Sequence, residues 1–271
     1  MVQPLHILRH IGRAPELLAA RRQTPAIGEL VKRYLQVGGG YPFRVPLSGG
    51  GSLMLSNAAE VKVFWQIFVH GSYALPTRCE TILDCGANVG IFSVWAARQR
   101  PGARIVALEP FPATFAALDA NIRENRLEDR VRSVPLGLAA KSGERLIRTA
   151  GDSPNRQLVL EGLAAGAGDT VAVRCLSLGE CLQQHDLARL DLLKMDIEGS
   201  EWEVLLATPP EVFAGIAHVQ LEYHEVNARF GYTPEALFAH LAAGGHRLTH
   251  RDEDPCRTGI AYFERQSTID D

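Results

Sequence analysis

The stretch TILDCGANVG, residues 81–90, opens with an apolar run, places an acid where that run stops, and then spends two glycines and an asparagine in the loop that follows. A buried strand that runs into a Gly-rich turn and then a helix brings backbone close to a ligand, with free N–H groups of the helix facing it. The alternation continues beyond it: TILDCG, IFSVWAARQR, RIVALEP, ATFAALDANIREN and VRSVPLGLAA read as strand, helix, strand, helix, strand. It resumes with LDLLKMDIEG, a helix through EWEVLLATP, the strand AHVQLEYH and a helix from Thr233-Pro234 to Ala243. HRLTHRD and GIAYFERQ then close the sheet as a hairpin-like pair around DEDPCRTG. Val/Ile/Leu-rich strands alternating with helices predict an α/β fold, a parallel sheet covered on both faces.

Two regions depart from that rhythm. Residues 145–175, with RTAGDSPNRQ and GLAAGAGD, predict an excursion over the site. Ahead of residue 80 lies a lead-in of helical pattern, then YPFRVPL and SLMLS around SGGG, which predict a short hairpin. Asn57 with Glu60 predicts a capping box, opening a helix whose Val61, Phe64, Trp65 and Phe68 share one face and which Gly71 ends.

Composition bounds the function. The chain has 271 residues, 46% of them hydrophobic, enough for a substantial core, and its net charge of −3 disfavours nucleic acid or an anionic membrane as partner. Cys79, Cys85, Cys175, Cys181 and Cys256 form no C-x-x-C pair, which argues against a disulfide framework or a zinc site and for a reducing, cytoplasmic location. Charges interrupt the apolar runs of MVQPLHILRHIGRAPELLAARR, so neither a signal peptide nor a membrane span is expected.

The cofactor follows from the loop. Asp84 ends the first strand, Gly86 and Gly90 permit the turn, and Asn88 both donates and accepts. Glu109 ends the second strand, where an acid accepts hydrogen bonds from the hydroxyls of a ribose. The segment reads G-A-N-V-G, and the G-x-G-x-x-G that seats a dinucleotide's diphosphate is not intact. An acid beside the loop suits instead the ammonium group of a sulfonium amino acid, which favours S-adenosylmethionine over NAD.

The motifs DCGANVG, ALEPFPATFAALDANIREN and LDLLKMDIEGSEWEVL resemble those of the FkbM family of S-adenosylmethionine-dependent methyltransferases, and VFWQIFVHGSY is similar to the family's lead-in. The resemblance spans roughly residues 60–225. It implies a Rossmann-like seven-stranded methyltransferase sheet, mostly parallel with an antiparallel last strand, and O-methylation of a hydroxyl on a sugar or secondary metabolite. It implies cofactor positions at Asp84, Gly86, Ala87, Asn88, Glu109, Pro110 and Asp196, with the adenine packed at Gly137 and Leu138. On this reading residues 1–75 form an N-terminal helical and β-hairpin extension, a cap or a dimerisation element, and residues 76–271 form the cofactor-binding domain.

Methyl transfer is an in-line displacement, and a hydroxyl acceptor must also lose a proton. Asp196 and Glu198 in MDIEG, and Glu222 and His224 in LEYHE, are each spaced i, i+2, which on a strand points both members to one side. His224 is the expected general base, because imidazole accepts a proton near neutral pH, with Glu222 or Asp196 orienting it. The competing expectation is a divalent cation such as Mg²⁺ on Asp196, Glu222 and His224. His70, Tyr73, Glu198 and Arg156 are candidate contacts to a small-molecule acceptor. Lys194, inside an apolar strand, is expected to snorkel out or to pair with an acid such as Glu222. N- or carboxyl-methylation, and cofactor binding without turnover, stand as alternative functions, and the apolar pattern of the lead-in allows a homodimer.

Overall fold

The computed structural model describes residues 14–148, 170–224, 232–253 and 259–266. Arg156, Cys256 and the tip of the 145–175 excursion lie outside the described residues. The lead-in forms helices α1 (Ala14–Gln23) and α2 (Ile27–Tyr34), then strands β1 (Phe43–Pro46) and β2 (Ser52–Leu55), antiparallel as expected. Helix α3 (Ala58–Phe64) starts at Asn57, whose Oδ1 accepts from the Glu60 amide at 2.9 Å, while Glu60 Oε2 accepts from the Ser56 amide at 2.6 Å. The reciprocal capping is the one the sequence predicts. Its continuation, Trp65–His70, widens into a π-helical turn and stops at Gly71, whose φ of 67° belongs to the left-handed region.

The alternating half supplies β3 (Thr81–Cys85), α4 (Ile91–Gln99), β4 (Arg104–Leu108), α5 (Pro112–Glu124), β5 (Val131–Val134), β6 (Gly137–Leu138), β7 (Gly143–Arg148) and β8 (Thr170–Leu176). Helix α6 (Leu178–Gln184), β9 (Leu190–Met195), α7 (Glu201–Ala207), β10 (Ile216–Tyr223), α8 (Pro234–Ala243), β11 (His246–Glu253) and β12 (Gly259–Arg265) complete it. Seven strands lie in the order β11-β12-β10-β9-β3-β4-β5, and β12, the last, is antiparallel to both its neighbours. The Rossmann-like, mostly parallel sheet is thus present, with the hairpin-like pair at its edge. Among the described residues no helix is long and apolar enough to cross a membrane.

Strand periodicity divides the interior into two cores. Ile82, Ile105, Ala107 and Leu192 face a core shared with α4, α5 and the lead-in elements, including Phe64, Trp65 and Phe68. Their chain neighbours Leu83, Leu108 and Leu193 face the other core, with Trp202, Phe213, Tyr223 and Phe263. Burying such side chains contributes about 1.5–3 kcal/mol each, so the lead-in is joined to the sheet by packing. Asn121 on α5 ties the two parts further: it accepts from the Met54 amide at 2.8 Å and donates to Val89 O, in the loop after β3, at 2.8 Å.

The structure corrects one reading. VRSVPLGLAA is not a single strand: β5 belongs to the large sheet, whereas β6 pairs with β8 in a three-stranded sheet completed by β7. Pro135, which has no N–H to give a ladder, lies between them. The excursion is therefore stemmed by two paired strands, β7 and β8, rather than being irregular from its start.

Candidate active site

A cavity of about 370 Å³ opens at the C-terminal edge of the parallel strands. Such a volume is that of a small-molecule site. Its walls come from the loop after β3 (Gly86, Ala87, Asn88), the end of β4 (Glu109, Pro110, Phe111), the β5–β6 segment (Leu136, Gly137, Leu138) and the ends of β9 and β10 (Lys194, Asp196, Glu198, Glu222, His224). Ala59, Lys62, Val63, Gln66 and Ile67 close it from the lead-in helix, together with Tyr73. These five fall at i, i+3, i+4, i+7 and i+8, a single helical stripe. The sequence marks a different face of this helix, Val61, Phe64, Trp65 and Phe68, and nothing local marks the cavity stripe.

The loop after β3 is shaped by contact as much as by turning. Gly86 adopts φ 75°, and a Cβ there would stand 1.8 Å from Asp196 O. Asn88 is also left-handed, at φ 50°. Glu109 is held by two main-chain donors: the Asn88 amide reaches Oε2 at 3.1 Å and the Phe111 amide reaches Oε1 at 2.9 Å. A Cβ on Gly137 would come within 2.9 Å of Cys175 Sγ and 3.3 Å of Pro110 Cβ, so its lack of a side chain keeps this wall close to Pro110.

Asp84 does not reach the cavity. It is fully buried beneath the floor, where Ser93 Oγ donates to Oδ2 at 2.6 Å and Lys194 Nζ lies 3.1 Å from Oδ1. The strand registry accounts for this, since Asp84 and Lys194 are direct partners on β3 and β9 and project to the same face. Lys194 also donates to Gly86 O at 3.1 Å and stands 3.9 Å from Asp196 Oδ2. Burial opposes its charge, yet Asp84 and Asp196 outweigh that cost and hold the ammonium above its ordinary pKa. The lysine is paired, as expected, but with Asp84 rather than Glu222.

Asp196, Glu198, Glu222 and His224 meet on one wall, but strand alternation does not bring the first pair there: β9 ends at Met195, and Asp196 and Glu198 lie in the turn after it, Glu198 left-handed at φ 56°. His224 Nδ1 lies 3.2 Å from Glu201 Oε1, and Nε2 lies 3.6 Å from Glu198 Oε2 and 3.9 Å from Asp196 Oδ1. Burial disfavours the imidazolium, but Glu201, Asp196 and Glu198 more than compensate and push its pKa up to about 10. Burial raises the Glu198 carboxyl to about 7, and burial with the Glu222 charge nearby raises Asp196 well above the carboxylate range. Glu222 does not orient the imidazole; its Oε2 accepts from Tyr73 OH at 2.6 Å.

Glu201 is the partner that sequence reading missed. It begins α7, fully buried, and accepts from the Ile197 and Gly199 amides at 2.8 Å each. Its signal was an acid five residues beyond Asp196, still within the tight DIEGSE turn. His70 is not on the wall; its Nε2 lies 3.0 Å from Glu16 Oε2 and 3.2 Å from Trp65 Nε1. Trp65, Trp95 and Trp202 are buried packing residues and none lines the cavity.

A family model, the methyltransferase FkbM domain, matches residues 84–248, more than half of the chain. The chain belongs to the FkbM methyltransferase family. The matched span takes in the wall residues from Gly86 to His224. Among its relatives, the 31-O-demethyl-FK506 methyltransferase FkbM of Streptomyces tacrolimicus is 27% identical over 227 residues, covering 72% of this chain and 86% of that one. Methyltransferase sdnD of Sordaria araneosa is 29% identical over 171 residues, covering 53% of this chain and 66% of that one. The crystal structure of a methyltransferase FkbM from Methylobacillus flagellatus KT superposes with a TM-score of 0.50 at 12% identity, taking in 96% of this chain and 60% of that longer one. At that identity the likeness is one of fold.

Proposed function

We propose that this FkbM chain is an S-adenosylmethionine-dependent methyltransferase that methylates a hydroxyl oxygen of a small acceptor, a sugar or a secondary metabolite. The observation that carries the reading is one cavity bounded on its β4 side by an anchored carboxylate, Glu109, and on its β9–β10 side by Asp196, Glu198, Glu222 and His224. The residues fit the cofactor. Glu109, fixed by two amides, accepts from the ribose hydroxyls; Gly86, Ala87 and Asn88 line its methionine side; Pro110, Gly137 and Leu138 pack the adenine. Asp84 acts from below by neutralising Lys194, which stiffens the loop through Gly86 O. An O-methylation agrees with the name of the Streptomyces relative, a 31-O-demethyl-FK506 methyltransferase.

When bound, S-adenosylmethionine supplies a methyl group on a sulfonium, and the acceptor oxygen forms its bond to that carbon as the S–C bond breaks and leaves a neutral thioether. The hydroxyl proton needs an acceptor. His224 is a poor free base in this arrangement, because with a pKa of about 10 it already holds its proton at neutral pH. Glu222 takes the role instead, with Tyr73 fixing one oxygen at 2.6 Å.

Calorimetric titration with S-adenosylmethionine, S-adenosylhomocysteine and NAD tests the reading. The first two should bind and NAD should not, and Glu109→Ala should weaken binding about 10- to 100-fold through the loss of charge-assisted hydrogen bonds. Binding of NAD alone would overturn it. Glu222→Gln should lower kcat with little change in cofactor affinity; full activity in that variant would remove Glu222 as proton acceptor.

A further inference from the structure

Among the described residues the cavity wall carries three cationic side chains, Lys62, Lys194 and His224, against the carboxylates of Glu109, Asp196, Glu198 and Glu222. Two of the three are engaged within the protein. Lys194 closes on Asp84 at 3.1 Å, and His224 lies 3.2 Å from Glu201. Lys62 differs from both: no ion pair or side-chain hydrogen bond joins it to another described residue, and it is exposed.

The backbone that carries Lys62 is fixed. Asn57 and Glu60 cap α3, and Phe64, Trp65 and Phe68 are buried in the core that also takes Ile91 and Phe92, the first residues of α4. Helix α4 starts where the loop after β3 ends, so the lead-in helix packs beside that loop. Its other face is thereby turned to the cavity, with Lys62 and Gln66 as the polar members of the stripe. From Trp65 onward the stripe continues on the π-helical turn, a form that recurs at functional sites.

S-adenosylmethionine carries one anionic group, the carboxylate of its methionine end. With the ribose on Glu109 and the adenine against Pro110, Gly137 and Leu138, that end lies along the loop after β3, on the side the lead-in helix covers. A carboxylate brought among four others is repelled unless a cation meets it. We propose that Lys62 is that cation: its ammonium pairs with the carboxylate of the bound cofactor, and the chain thereby selects a donor that carries one. The inference rests on the methyltransferase reading and deepens it, adding to the cofactor site a lead-in residue that lies ahead of the matched span, residues 84–248. Lysine suits the task as a point charge on a flexible stem, which reaches an anion without demanding a fixed fork geometry. Its exposure screens the pair and keeps the effect modest.

The test is calorimetric titration of the full chain with S-adenosylhomocysteine and with its decarboxylated analogue S-adenosyl-3-thiopropylamine, which keeps the ammonium and lacks the carboxylate. Lys62→Met should bind S-adenosylhomocysteine about 3- to 10-fold more weakly than the wild-type chain, and the analogue no more weakly. Lys62→Arg should recover most of the difference, with circular dichroism checking the fold of both variants. An unchanged affinity for S-adenosylhomocysteine in Lys62→Met would overturn the contact, as would an equal loss for both ligands. The two readings fail separately. A wild-type chain that binds neither ligand overturns the methyltransferase reading and the inference with it, whereas equal binding of S-adenosylhomocysteine by the wild-type chain and Lys62→Met removes the lysine contact alone.

Discussion

Asp84 and Lys194 face each other across neighbouring parallel strands and close a buried ion pair, Nζ to Oδ1 3.1 Å, under the floor of the cavity. Their side chains are 0% and 4% exposed, so neither charge has water to fall back on. Lys194→Met leaves Asp84 uncompensated and should cost about 3–5 kcal/mol of stability. Adding Asp84→Asn should restore a large part of that loss, because the stranded charge is removed with its partner. Urea midpoints of the two single variants and the double variant read the coupling; a double variant as unstable as the sum of the singles would show that the pair is not the source.

Gly86 and Gly71 separate conformational cost from collision. Both have positive φ, 75° and 67°, but a Cβ on Gly71 meets nothing within 4 Å, whereas one on Gly86 meets Asp196 O at 1.8 Å. Gly71→Ala should therefore cost about 1–2 kcal/mol, the penalty of a left-handed residue. Gly86→Ala should cost more and should also displace the start of the DIEG turn, with loss of cofactor binding. Thermal unfolding and cofactor titration of both variants check this, and equal effects would contradict it.

The buried thiols should be unreactive. Burial pushes Cys79 and Cys175 up to about 11 and Cys181 up to about 12, and raises Cys85 well above the ordinary thiol range. A raised pKa lowers the thiolate fraction, about 100-fold for a shift of about two units at any pH below both values. At pH 8 these four cysteines should resist iodoacetamide in the folded chain and label rapidly in urea. Peptide mapping by mass spectrometry distinguishes them, and equal labelling in both states would refute their burial.

Much of this arrangement is local in origin. Asn57 and Glu60 cap a helix because their spacing lets each reach the other's amide or its neighbour's, and Gly71 stops it because φ 67° suits a residue without Cβ. Glu222 and His224 share a wall at the end of β10 through strand alternation, whereas Asp196 and Glu198 reach it from the turn after β9, where Glu198 is left-handed at φ 56°. The π-helical widening at Trp65–His70 and the split of VRSVPLGLAA into two sheets had only weak local signals, the latter Pro135. The depth of Asp84 had none, and Glu201 was marked only by its place in the DIEGSE turn, not by its hold on His224, since each contact depends on a strand or helix brought alongside from more than 20 residues away.

What the sequence by itself determined is the succession of strands and helices, the Gly-rich loop at the first strand's end and the set of ionisable residues at the sheet edge, because hydrophobic period and turn chemistry act over a few residues. Which of those residues pair was decided only by the tertiary structure. Strand registry set Lys194 against Asp84, and α7 set Glu201 behind His224; an ionisable group takes its charge state and its partner from the full field of neighbours that folding assembles.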